Sequence, residues 1–265
     1  MNIRLFIALC SMYLLSSWRI WATSDQPYKQ YLTQYDSYRT QYNDFSIAKQ
    51  EYIKFKTLTS QQTALDKTKN MLSSRDMLLK SYLLFLSDKL NENKGLSDET
   101  RQAYKAPITD EISFLDSQYQ LIGNLETLTD AETLSKNQEQ RDPNLQLTIY
   151  KSILTISLGN LRSFITDFDT ITKSFTAYIN ENREVIPEVK QRIVDQWLIS
   201  IQNKRSSYQD KIDKIDTEIK SFTDKTGTID KKSDVLLKDI NTAKNDIVDA
   251  VSYMKELLRI LKYSN

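Results

Sequence analysis

Four glycines and four prolines are all the backbone breakers in a chain of 265 residues. Glycine supplies the unusual dihedrals of tight turns and proline ends regular elements, so a chain this poor in both cannot make the many turns of a β fold. Long uninterrupted elements remain, and with no alternating strand pattern they must be helices. The same scarcity excludes nearly every glycine-rich loop that cradles phosphate. The expected fold class is all-α.

Each breaker can then be read as punctuation. Pro27 opens a periodic run, and Gly95 after Asn91–Lys94 stops a helix before Ser97, Asp98 and Glu99 start the next. Asp142 and Pro143 read as an N-cap and first helical residue, Pro187 opens another helix, and Gly227 lies in a turn. Pro107, Gly123 and Gly159 fall inside helical patterns, with Pro107 expected to kink or restart the third helix. The expected helices are 26–57, 60–93, 97–137, 143–181, 187–224 and 229–263, each roughly 50–60 Å long. The break at 57–60 is the weakest, because Thr57, Thr59 and Ser60 also fit inside one continuous helix.

Within these segments the apolar residues alternate steps of three and four. The fourth carries Leu147, Tyr150, Leu154, Leu161, Phe164, Phe168, Ile171, Phe175 and Tyr178, with Ser157 holding one position of the row, and a second row at Ile149, Ile153, Ile156 and Ile165. The fifth carries Val194, Leu198, Ile201, Tyr208, Ile212, Ile215, Ile219 and Phe222, with Arg205 holding one position of the row; the sixth carries Leu236, Ile240, Ala243, Ile247, Ala250, Met254, Leu257 and Leu261. Such spacing gives coiled-coil-like packing, here an elongated bundle of five or six antiparallel helices. The double row makes the fourth helix central, and the last two helices form a hairpin. Residues 23–265 are expected to form either one bundle or two three-helix units, 26–137 and 143–263.

Residues 1–22 have a different character. Arg4 precedes the largely apolar stretch Leu5–Trp18, and Ala22 leads into a polar start at Thr23. This is the pattern of a signal peptide; Trp18, Trp21 and Arg19 also suit an uncleaved anchor. Leu9 before Cys10 argues against lipidation. The expected location is exported, whether periplasmic, cell-surface or secreted, and membrane-anchored if residues 1–22 stay attached. Removing them takes Arg4 and Arg19 from 36 basic residues, leaving 34 against 35 acids and a net charge of −1. No cysteine and no glycosylation sequon then remain, which leans toward a bacterial exported protein.

Composition also narrows the chemistry. Histidine is absent and Cys10 is the only cysteine, so imidazole acid–base chemistry, thiol nucleophiles and His/Cys metal sites have no residues to use. The near-zero net charge gives no field for nucleic acid. No catalytic, cofactor or metal residues are assigned, and a non-enzymatic protein is expected. The apolar stretches Met77–Leu90 and Leu145–Leu161 contain Lys80, Lys89 and Lys151 and read as core helices rather than membrane spans. Membrane contact is therefore expected at most through residues 1–22.

One feature offers a binding surface. Tyr28, Tyr31, Tyr35, Tyr38 and Tyr42, continued by Phe45 and Tyr52, form a ladder along the first helix. Tyrosine at a packing position puts a hydroxyl where leucine normally sits, so the face should be shallow or open. It reads either as an edge helix packed on the bundle, with Tyr35 and Tyr42 at its centre, or as an aromatic strip for a protein, glycan or lipid-headgroup partner. The function expected is a scaffold, spacer or interaction module at the cell envelope, with a protein partner or self-association through helices. The alternative is a reversible membrane-associating helical protein, toxin-like in kind.

Overall fold

A computed structural model describes residues 26–223 and 228–262, and every regular element in it is helical. The helices are α1 (Gln26–Phe55), α2 (Leu58–Glu92), α3 (Asp98–Gly123), α4 (Leu128–Glu181), α5 (Glu188–Ser221) and α6 (Ile229–Lys262), with a 3-10 turn at Arg183–Val185. The expected signal peptide or anchor at 1–22 and the turn at Gly227 lie outside the described residues.

Helix boundaries follow the caps. α1 ends where Lys56 takes a left-handed φ of 50°. Thr57 then caps α2 reciprocally with Ser60, so the chain breaks here rather than continuing as one long helix. Ser97 Oγ accepts from the Thr100 amide to begin α3.

The largest departure from expectation lies between 97 and 143. The third helix stops at Gly123 instead of running to 137, and Asp142–Pro143 starts nothing. Thr127 is the real cap: its hydroxyl accepts from the Asp130 amide while the Asp130 carboxylate accepts from the Thr127 amide. From there α4 runs 54 residues, about 80 Å, straight through Pro143. A proline inside a helix forfeits one backbone hydrogen bond, here to the Glu139 carbonyl, and a helix packed on several neighbours absorbs that loss. Pro107 likewise sits inside α3 rather than restarting it.

Cross-helix pairs give the directions. Asp44 with Lys67 and Tyr31 with Tyr82 make α1 and α2 antiparallel, and Lys80 with Asp116 and Asn91 with Arg101 do the same for α2 and α3. Asp76 with Gln138 and Asn93 with the Ile156 carbonyl set α2 parallel to α4. Arg205 with Asp169 and Asp216 with Arg162 run α5 back along α4, and Lys204 with Asp249 and Lys211 with Asp246 return α6 along α5. The division expected between 137 and 143 thus falls inside a continuous helix.

Two cores result. Leu83, Leu86, Leu90, Ile108, Leu115 and Leu145 join α2, α3 and the first part of α4, while Leu72, Ile122, Leu125, Ala131 and Leu134 form a smaller cluster at the far end of the same three helices. The second core joins the later part of α4 to α5 and α6 through Leu154, Phe168, Phe175, Ile212, Ile240 and Leu257. Around residues 147–158, α4 serves both cores from different faces. Ile149, Ile153 and Ile156 pack toward α2 and α3, while Leu147, Tyr150, Leu154 and Leu158 pack toward α5 and α6. That is the physical meaning of its two apolar rows. The seam residues expected on α6 are all buried, as are Ile215 and Ile219 of α5 and Phe222 just beyond its end.

Candidate interaction surface

α1 is the least embedded helix. Its extensive packing is against α2 alone, and Ala48 is its single buried residue. The half-buried positions Tyr31, Tyr38, Phe45 and Tyr52 recur every seven residues and face α2. Tyr28, Tyr35 and Tyr42 recur at the same period one step round the helix and are 43%, 43% and 50% exposed. The expectation that Tyr35 and Tyr42 form the centre of the packed face is therefore wrong. A stripe of alternating three and four steps is two residues wide, and which edge packs depends on the neighbouring helix.

The rings are not isolated from one another. Tyr28 and Tyr31 lie 6.2 Å apart by centroid, Tyr31 and Tyr35 6.4 Å, Tyr38 and Tyr42 6.0 Å, and Tyr42 and Phe45 6.2 Å. α2 extends the strip with residues that the pattern of α1 could not reveal: Phe85 is 5.6 Å from Tyr28, and Tyr82 is 5.1 Å from Tyr31. Burial raises the Tyr82 hydroxyl above its ordinary pKa, and the neighbouring Tyr31 and Tyr150 push it the same way. Cations edge the strip, with the Arg39 guanidinium 5.9 Å from the Tyr35 centroid and Lys49 Nζ 5.7 Å from that of Phe45. Leu32, Ile47, Ile53 and Phe55 add exposed apolar surface to the same helix.

Comparison with protein-family models, with curated proteins and with solved structures returns no match.

The buried polar groups are of two kinds. Glu111 is a packing residue of α3 that binds Arg141 Nε through both carboxylate oxygens at 3.1 and 3.2 Å and accepts from Asn144 Nδ2 at 3.2 Å. Asp246 on α6 accepts from Lys211 and Ser207 on α5, with Lys204 beside it. Burial by itself would raise the Asp246 carboxyl, but those hydrogen bonds and the two lysine charges outweigh it and hold it below the usual range. Both are ties between helices. Lys211 and Asp216 of α5 are engaged across helices in the same way, Asp216 with Arg162 at 3.4 Å.

Asp76 differs. It is buried among α2, α3 and α4, and Gln138 Nε2 donates to its Oδ1 at 2.6 Å, yet its Oδ2 has no hydrogen-bond partner. Burial raises its pKa to about 6, against the lowering effects of the nearby Arg75 charge and of the Gln138 hydrogen bond. Among the described residues no group of three His, Cys, Asp or Glu side chains is placed to hold a metal ion. No helix there is long and apolar enough to cross a membrane.

Proposed function

We propose that the chain is an exported, non-enzymatic helical scaffold that engages a protein partner through the open face of α1. The observation that carries this reading is the ratio of exposed to buried apolar surface on that helix. Tyr28, Leu32, Tyr35, Tyr42, Ile47, Ile53 and Phe55 are exposed while Ala48 alone is buried. Rigid aromatic side chains with a polar tip are the type of residue that protein interfaces concentrate, because they bury much area for few frozen torsions. The stretch Leu5–Trp18 and the polar start after Ala22 support the export part of the proposal. The absence of histidine supports the non-enzymatic part.

The test is site-specific photo-crosslinking on the native cell envelope. A crosslinker at Tyr35 or Tyr42 should trap one defined protein, either another copy of the chain or a second polypeptide. One at Ser37, exposed on the polar side of α1, should trap none. Equal yields at the three positions would overturn the reading. Leakage of lipid vesicles exposed to the purified chain at low micromolar concentration would transfer the strip to the membrane-associating alternative. Export is checked separately: N-terminal sequencing should begin near Thr23, and recovery of Met1 in the membrane fraction would mean that residues 1–22 act as an anchor.

A further inference from the structure

The apolar core of α2, α3 and α4 is cut in two, and the cut is a single polar layer. On α2 the packing position between Leu72 and Leu83 is held by Asp76; on α3 that between Leu115 and Ile122 is held by Gln118; on α4 that between Leu134 and Leu145 is held by Gln138. All three side chains are buried, and the apolar clusters on either side of them do not merge. Every helix of this unit therefore places a polar residue where apolar packing would be continuous.

The layer has an unbalanced hydrogen-bond inventory. Asp76 Oδ2, Gln138 Oε1 and Gln118 Oε1 are buried oxygens with no partner, and all three are acceptors. Each buried orphan costs free energy, and with Gln138 Nε2 already committed to Asp76 Oδ1 the Oε1 of the same amide can only accept. Adding a proton to Asp76 Oδ2 turns one acceptor into a donor beside the Gln138 amide, whose Nε2 already holds Oδ1 and whose Oε1 has no hydrogen bond. Arg75 is the competing source of donors. Its Nε stands 3.7 Å from Asp76 Oδ1, and its Nε and Nη2 make no hydrogen bond. Its charge is shared with Asp142 on α4, whose carboxyl is raised by burial, lowered by Arg75 and raised again by Glu139. α3 presents neutral Gln118 to the layer, its nearest buried acid Glu111 being bound by Arg141; α1 contributes no charge acting on Asp76.

We propose that the Asp76–Gln118–Gln138 layer is a proton-operated latch that tightens the α2–α3–α4 unit in mildly acidic solution and loosens it at neutral pH and above. Protonated, the layer is hydrogen-bonded within itself. Ionised, it must draw Arg75 inward or admit water, and either opens the gap between the two apolar clusters. The raised pKa of Asp76 has the matching sign. A carboxyl that holds its proton more tightly folded than unfolded contributes stability at low pH and loses it as pH rises through its folded value of about 6.

Two measurements on the full chain test this. From about pH 5 to about pH 8 the unfolding equilibrium constant should rise roughly tenfold through this group. Asp76→Asn, which keeps the shape and supplies an amide donor at every pH, should remove that tenfold component. An unchanged pH dependence in the variant would overturn the latch. Independently of whether the variant folds, the carboxyl carbon of Asp76 in the unaltered protein should titrate by NMR with a midpoint near 6, rising further in Arg75→Gln. A midpoint in the ordinary carboxylate range near 4 would equally overturn it.

Discussion

At the scale of single residues, the tightest constraint is a contact between two backbones. A Cβ on Gly95 would stand 1.8 Å from the Gly159 carbonyl oxygen, and one on Gly159 would meet Asn93 Oδ1 at 2.4 Å. The α2–α3 connection is pressed onto α4 here, pinned by Asn93 Nδ2 donating to the Ile156 carbonyl at 2.9 Å and to Asn160 Oδ1 at 3.0 Å. Gly95→Ala should therefore cost about 1–3 kcal/mol or more in denaturant melts, because the obstruction is backbone and cannot rotate away. Gly123→Ala is the control: nothing lies within 4 Å of its added methyl, so the change should be neutral or slightly stabilising. The tyrosine ladder divides in the same way. Tyr38→Ala should lower stability by about 1–2 kcal/mol, whereas Tyr42→Ala should stay within about 0.5 kcal/mol of the parent. Equal losses at the two sites would show that α1 packs on both edges of its stripe.

At the scale of elements, α4 holds the molecule together and Pro143 is its weak link. Restoring the missing amide with Pro143→Ala should return a hydrogen bond to the Glu139 carbonyl and remove a ring clash. The stiffer unfolded chain that proline provides offsets part of this. The expected net gain is about 1–2 kcal/mol, read as a higher melting temperature; a loss would show that the surrounding packing has adapted to the proline. The α5–α6 pair is held more densely. Its apolar seam is flanked by Lys204, Ser207 and Lys211 converging on Asp246, and by Trp197, whose ring lies tilted against Tyr253 at 5.1 Å.

At the scale of the whole molecule, the two cores should respond to pH with opposite sign. The α2–α3–α4 unit gains stability as Asp76 takes up its proton. The α5–α6 pair loses it as Asp246 does, because a carboxyl held below its usual range contributes stability above that range and forfeits it as pH falls through its folded value. Trp197, the one tryptophan among the described residues, reports the second event. Its fluorescence melt should shift to lower temperature below about pH 4, and Asp246→Asn should flatten that response. Tryptophan and backbone signals that melt together at every pH would mean that α4 couples the two cores into one cooperative unit.

The residues themselves dictate that this chain is helical, because eight glycines and prolines cannot punctuate anything else, and the α5 and α6 seams can be read directly from their three-four spacing. Local chemistry also contains the start of α4, in the Thr127–Asp130 capping box, fifteen residues before the helix start that Pro143 suggests. A proline's cost is local, whereas its tolerance is decided by how many neighbours pack on the helix around it. The same distinction separates Tyr31 and Tyr38 from Tyr35 and Tyr42. Spacing shows that they share a face, but only the position of α2 decides which edge is covered. It also separates Asp76, Gln118 and Gln138 from other polar residues in heptad runs. Each is unremarkable on its own helix, and they become a layer only when three chain-distant segments meet at the same height, a registry that is set by packing and leaves no mark in any one stretch of sequence.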